Sequence, residues 1–288
     1  MTDIDRLFNR LDTLLDRLEP LLPPRHTEPD WSALAYRWRR PGYLQAINHP
    51  HLLEAEALLG IERQKQRLAR NTAQFVRGLP ANNALLWGAR GTGKSSLIRA
   101  MLQEFADQRL RLIEVERRDL IDLPDIVEPL YERPERFILF TDDLSFEADD
   151  ASYKALKAAL DGSVAATPEN VLIYATSNRR HLLPEYQRDN QEARAIDGEI
   201  HPGEATEEKI SLSERFGLWL AFHPFGQEEY LAVVFDTLRR LNLYPDADGV
   251  RAEALRFALE RGSRSGRVAV QFARDWAGKA SYESFAGN

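Results

Sequence analysis

The chain has 288 residues, 43% apolar and 29% charged, and 45 acidic against 38 basic side chains give a formal charge of −7. That length and composition describe one large or two small soluble domains able to bury a core, and the absence of cysteine excludes disulfides, thiolate metal sites and thiol nucleophiles. Charges run through the first twenty residues and no eighteen apolar residues stand together, so neither a signal peptide nor a membrane span is expected, and the cytosol is the expected compartment.

In chain order, Ile4, Leu7, Leu11, Leu14, Leu18 and Leu21 are spaced 3, 4, 3, 4, 3, the seam of a helix that packs on another helix. The seam is too short for a coiled-coil dimer, so docking within the chain is expected, and Pro20, Pro23 and Pro24 end it. A stretch to about residue 51 then mixes aromatics with bases: Trp31, Tyr36, Arg37, Trp38, Arg39, Arg40 and Tyr43. Such interleaving can stack on nucleic acid. The reading preferred here is a segment pinned to the next domain by its aromatics, with the arginines in water.

Residues 52–76 read as helix. Beyond Gly78-Leu79-Pro80, short apolar runs at 84–87, 110–115, 137–141, 171–176 and 218–222 alternate with helical stretches near 94–106, 121–131 and 152–160. Buried strands separated by helix-length crossovers predict an α/β fold with a five-stranded parallel sheet covered on both faces. After His223-Pro224 the pattern is helical only, near 227–241, 251–261 and 266–280. The expected organisation is a helical N-terminal extension (1–54), an α/β nucleotide-binding domain (55–224) and a helical lid (225–288).

Gly88, Ala89, Arg90, Gly91, Thr92, Gly93, Lys94 and Ser95 fit the pattern G-x-x-x-x-G-K-S/T between a predicted strand and a predicted helix. Glycines let backbone N–H groups wrap a polyphosphate, and the helix N-terminus adds partial positive charge. Lys94 is expected on the β and γ phosphates of ATP and the Ser95 hydroxyl on Mg²⁺. The run FILFT ends in Asp142 and Asp143. Asp142 is placed to hold Mg²⁺, and Asp143 to orient or deprotonate the attacking water, with Glu147 a competing base because Asp143 is short for that work. The fourth strand ends in Thr176, Ser177 and Asn178, at the carboxyl edge where α/β sheets bind ligands. Arg215 precedes the last strand, and Arg264 and Arg267 open the last helix. Arginine suits phosphate oxygens because its planar fork stays charged.

These elements together resemble the AAA+ ATPases, over roughly residues 55–280. LLWGARGTGKSS is similar to Walker A, FILFTDD to Walker B, YATSN to sensor 1, SERFG to the arginine-finger box and SGR to sensor 2. LLGIERQK resembles the adenine-contacting segment, which points to Gly60 and Ile61. More narrowly, DDLSFE and the stretch leading to SERFGL look like a bacterial AAA+ family without an established cellular role. The resemblance implies that the loop from Gly88 to Ser96 binds nucleotide, that Asn178 polarises the attacking water, and that Arg267 touches nucleotide in its own subunit. It implies that Arg215 reaches a neighbouring subunit's nucleotide, making hydrolysis depend on self-association. Asp143 stands where most of the family has Glu, a variant also found in the initiator and helicase-loader branch, which implies slow turnover or a switch-like role. The stretch VERRDLIDLPDIVEP lacks the aromatic-hydrophobic-glycine pattern of unfoldase pore loops.

Residues 181–212 hold eight acids and three bases, a segment long for a structureless connection. His181 and His201 lack the tight spacing of a metal site, and a solvated or partner-binding loop that orders with nucleotide is expected. The acidity of the chain is local to this segment and to DDLSFEADD at 142–150; the remainder is net positive, so charge does not count against a nucleic-acid partner. The leading expectation is an ATPase that remodels or loads a protein or nucleic-acid client. The alternatives are an ATP-binding scaffold with little hydrolysis, a DNA-associated loader using residues 31–43, and a small-molecule kinase, which the helical lid and Arg215 disfavour.

Overall fold

A computed structural model describes residues 28–146, 150–161, 168–180, 182, 194–196, 199–201, 212–244 and 246–286. The leucine seam at residues 4–21 and the candidate base Glu147 lie outside these, as does most of the acidic segment 181–212, of which only two short strands, β7 (Arg194–Ile196) and β8 (Glu199–His201), are described as a ladder.

The five expected strands form as β3 (Ala84–Gly88), β4 (Leu110–Glu114), β5 (Arg136–Thr141), β6 (Val171–Ser177) and β9 (Leu218–Phe222). The sheet holds two more, β1 (Ala35–Arg39) and β2 (Tyr43–Ala46), in the order β2-β1-β4-β5-β6-β3-β9. β2 pairs antiparallel with β1, and every other pairing is parallel. The five-stranded expectation is therefore enlarged to seven, and the helical reading of residues 1–54 fails over 35–46. The cause is visible in Tyr36-Arg37-Trp38-Arg39, whose alternation has the period of a strand. Tyr36 and Trp38 are buried on one face, while Arg37 pairs with Glu114 at 2.6 Å. Arg40 pairs with Asp119 at 2.9 Å, and Trp31 packs its ring 5.8 Å from Tyr36 and 6.0 Å from Phe137. Trp31, Tyr36 and Trp38 pin this segment to the domain and are not presented for stacking on nucleic acid.

Both faces of the central strands are covered, which is why they read as unbroken apolar runs. Along β5, Ile138 and Phe140 join one core with Leu86, Leu172 and Tyr174, while Phe137 and Leu139 join the other with Leu85, Ile173 and Ala175. The first core receives helices α1 (Glu62–Val76) and α2 (Lys94–Phe105). The second is covered by α3 (Leu123–Val127) and α4 (Ala151–Asp161). The helix expected near 121–131 is broken into short 3-10 and α pieces from Arg117 to Leu130, because Pro124 and Pro129 each remove a backbone donor.

Helix α1 docks through Leu68, Asn71, Thr72 and Phe75. The buried Tyr174 hydroxyl meets Asn71 Nδ2 and Thr72 Oγ1, both at 3.0 Å, and burial pushes the phenol above its ordinary pKa. At the sheet edge, Gln64 Nε2 donates to Ala221 O at 2.7 Å and Arg67 Nη1 to Trp219 O at 3.2 Å, so α1 caps carbonyls that an open edge strand would expose.

The chain then continues into α5 (Gln227–Arg240), α6 (Ala247–Glu260) and α7 (Gly266–Ala286), the helical lid. Tyr230, Val234, Val250, Ala254, Val268 and Phe272 are continuous with the first sheet core. Glu229 closes the N-terminus of α5 by accepting from Gly226 N at 2.7 Å, and Asp246 closes that of α6 by accepting from Gly249 N at 3.1 Å.

Tyr174→Phe removes the hydroxyl that ties α1 to β6 while Asn71 keeps its bond to Asn82 O. The expected cost is about 1 kcal/mol, read as a lower urea midpoint with an unchanged denaturant slope.

Candidate functional site

The site grows from the carboxyl edge of the sheet. Gly88 ends β3 with φ 130° opposite Phe222, and a Cβ there would lie 2.0 Å from Phe222 O. Only glycine permits this approach, and the next amide, Ala89 N, donates to Phe222 O at 3.0 Å. The loop then turns through Gly91 (φ 73°) and Gly93 (φ 97°), the residue from which α2 starts. Among the described residues, none of the backbone N–H groups from Gly91 to Ser96 donates to a protein acceptor. A consecutive run of free donors at a helix N-terminus is the arrangement that receives phosphate oxygens.

Lys94 is 7% exposed, and its Nζ donates to Gly88 O at 2.8 Å, Ala89 O at 2.7 Å and Asn178 Oδ1 at 3.2 Å. Burial pulls its ammonium below the ordinary lysine pKa, against the upward pull of the Asp142 and Asp143 carboxylates. Thr92 Oγ1 donates to Ala89 O at 2.8 Å and closes the loop from within. Arg90 is exposed, and its guanidinium stands 4.0 Å from the Asp143 carboxylate.

Ser95 Oγ donates to Asp142 Oδ1 at 2.5 Å, so the hydroxyl and carboxylate singled out for Mg²⁺ converge. This hard-oxygen pair beside free phosphate-binding donors fits a Mg²⁺–nucleotide complex. Thr176, to which no separate role was given, organises the carboxylates. Its Oγ1 donates to the same Asp142 Oδ1 at 2.5 Å and accepts from Asp143 N at 2.9 Å. Asp143 has φ 51°, unusual outside glycine, and its carboxylate accepts from Asn178 Nδ2. Asp142, Asp143 and Asn178 thus meet in one network with Ser95 and Lys94. The only sequence signal for Thr176 was its polarity at the end of a buried strand.

The lid closes on the same loop. Arg267 N donates to Gly91 O at 3.2 Å, and a Cβ on Gly91 would lie 2.9 Å from Ser265 Oγ. Arg267 itself is exposed, and its charge bears on Lys94. Gly60 has φ 77° and abuts Phe225 and Glu229, while the buried Ile61 faces Gly93. Both therefore sit where the loop meets the lid. Arg215 is elsewhere: it precedes β9 at the opposite edge of the sheet and donates through Nε to the Asp161 carboxylate at the end of α4. Among the described residues no group of three or more His, Cys, Asp and Glu side chains could hold a metal ion, and no helix is long and apolar enough to cross a membrane.

A phosphate loop after β3, flanked by β6 and β9 and followed by a helical lid, defines an AAA+ P-loop fold. The chain belongs to the family described as "Protein of unknown function (DUF815)", whose model matches residues 31–280. Among solved structures it is similar to a point mutant of RuvB from Thermotoga maritima, at 17% identity and a TM-score of 0.53, covering 77% of this chain and 64% of that one. It is also similar to ORC1 from Aeropyrum pernix in complex with DNA, at 16% identity and a TM-score of 0.54, covering 81% and 62%. The chain thus spans less than two thirds of each of these proteins. A comparison with curated proteins finds no match.

Gly88→Ala combines an unfavourable φ with a backbone overlap and is expected to cost at least about 3 kcal/mol. Gly262→Ala, at φ 63° with nothing within 4 Å of its Cβ, is expected to cost about 1 kcal/mol. Urea unfolding of the two variants side by side checks the contrast.

Proposed function

We propose that the protein is an AAA+ ATPase that binds ATP with Mg²⁺ and hydrolyses it at an interface between copies of the chain, coupling this to the remodelling or loading of a macromolecular partner. The observation that carries the reading is the single network joining Lys94, Ser95, Asp142, Asp143, Thr176 and Asn178 beside a run of free backbone donors. In this reading the loop from Gly88 to Ser96 cradles the phosphates, and Lys94 leaves its carbonyl partners for the β and γ oxygens. Ser95 and Asp142 hold Mg²⁺, which screens charge on the phosphates. Asp143 takes or orients the proton of the attacking water, with Asn178 fixing its carboxylate and Thr176 fixing its backbone. Arg267 meets nucleotide from the lid, and Gly60 and Ile61 line the side where adenine would lie.

Arg215 supports a shared site. It lies before β9, whose far end touches the phosphate loop, and five residues of strand put about 13 Å between the two ends. One arginine side chain does not span that distance, so its action on nucleotide requires a second subunit. A scaffold that hydrolyses little is favoured by one observation: the short Asp143 carboxylate is already engaged by Asn178.

ATPase activity per subunit is expected to rise with protein concentration, to fall at least about 100-fold in Lys94→Ala and in Arg215→Ala, and to recover partly when the two variants are mixed. Concentration-independent turnover that survives Arg215→Ala rejects the shared site. Thr176→Val, which keeps shape and loses both hydroxyl bonds, is expected to reduce kcat about tenfold with little change in nucleotide affinity, whereas Thr176→Ser restores it.

A further inference from the structure

Helix α1 carries a face that the nucleotide site does not use. At 3.6 residues per turn, Arg63, Arg67, Arg70, Gln74 and Arg77 fall on one strip, opposite the buried Leu68, Thr72 and Phe75. All four arginines are exposed, and among the described residues none of them has an ion pair. Glu62, the acid of this helix, lies off the strip, where its carboxylate meets Lys65 at 3.5 Å and Gly60 N at 3.2 Å. From Arg63 to Arg77 the strip is about 21 Å long at 1.5 Å per residue.

The strip leads to a cavity of mixed charge. At its end, Gly78 lies against Arg136, whose Nη2 would be 2.9 Å from a Cβ there, and whose guanidinium stands 5.6 Å from the Phe75 ring centroid. Arg136 opens an exposed cavity of about 530 Å³ at the amino edge of the sheet, lined by Tyr131, Arg133, Pro134, Pro168, Glu169 and Asn170. Tyr131 is 44% exposed. Arg133 lies 4.4 Å over the Trp31 ring and pairs with Glu135 at 3.0 Å. Asn170 Nδ2 binds the carbonyls of Leu130, Arg133 and Glu135, which holds the cavity wall in place.

We propose that this surface binds single-stranded nucleic acid, with Arg63, Arg70 and Arg77 on its phosphates, Arg67 staying on the Trp219 carbonyl, and Tyr131 and its cavity receiving a base. Exposed arginines with no ion pair among the described residues leave a local positive potential on a chain whose net charge is −7. An acidic protein would satisfy that charge equally. The exposed aromatic ring beside guanidinium groups at the end of the strip is what a base requires and a carboxylate does not. A duplex would use the arginines and leave the cavity idle. The inference deepens the remodelling reading by naming the chemistry of the partner, and rests on that reading only for its coupling to ATP.

Fluorescence anisotropy on the full chain without nucleotide tests it, using a labelled 20-nucleotide oligothymidylate, a hairpin duplex and polyglutamate over a range of salt. The triple variant Arg63→Ser, Arg70→Ser, Arg77→Ser is expected to flatten the slope of log K against log salt by about 2, from about 0.7 per lost contact on a single strand. Tyr131→Ala is expected to weaken single-strand binding about tenfold with the slope unchanged. Arg239→Ser with Arg240→Ser, on the lid, should change neither. An unchanged slope in the triple variant overturns the proposal. So does polyglutamate binding as tightly as the oligonucleotide, or duplex binding tighter than single strand and indifferent to Tyr131. Because no nucleotide is present, these outcomes are independent of whether the ATPase measurement succeeds.

Discussion

The contact on which the rest of the site depends is the approach of Gly88 to Phe222. Parallel pairing of β3 with β9 runs through Leu86↔Leu220 to Gly88↔Phe222, and the Ala89 amide then closes on the Phe222 carbonyl. The phosphate loop is thereby held on the strand that leads into the lid. Phe225, three residues on, donates its amide to Arg264 O, and Arg267 returns to Gly91 O. Loop, strand and lid form one backbone-bonded unit, so whatever moves the lid acts directly on the loop's N–H groups.

A second constraint sets the carboxylates. The β5 and β6 registers bring Thr141 opposite Ala175, which leaves the Thr176 hydroxyl level with the paired aspartates just beyond β5. One hydroxyl then orders two neighbouring acids in different ways, donating to the side chain of Asp142 and accepting from the backbone of Asp143. With its backbone held at positive φ, Asp143 directs its carboxylate toward Asn178 and Arg90. The polar groups are few, and each bond constrains a neighbour that also bonds to another, which is how a preorganised site keeps its geometry before its ligand arrives.

The opposite edge of the sheet has a different character. There Arg215 meets Asp161, and Arg133 and Arg136 flank Tyr131 and Asn170. Helix α1 connects the two edges: its start, next to Ile61, borders the phosphate loop, and its end, at Phe75, borders Arg136. The Tyr174 hydroxyl network and the bonds from Gln64 and Arg67 to β9 hold that helix in register with the strands carrying the site.

The sequence by itself determined the elements whose signals are local. Periodicity located the five central strands, the helices at 94–105 and 151–161 and the lid, because helix and strand repeats are set by backbone geometry over a few residues. Motif and strand context marked the glycine loop, Lys94, Ser95, the paired aspartates and Asn178, and the fold brings these side chains into one hydrogen-bonded network. Tertiary structure alone decided what depends on partners far away in the chain. Residues 35–46 became sheet edge once β4 offered Ala35–Arg37 a register. Thr176 acquired its role from aspartates more than thirty residues earlier. The arginines of α1 became one exposed strip leading to a cavity only when Leu68 and Phe75 were buried against the sheet. Their direction in space follows from packing, which no local pattern records.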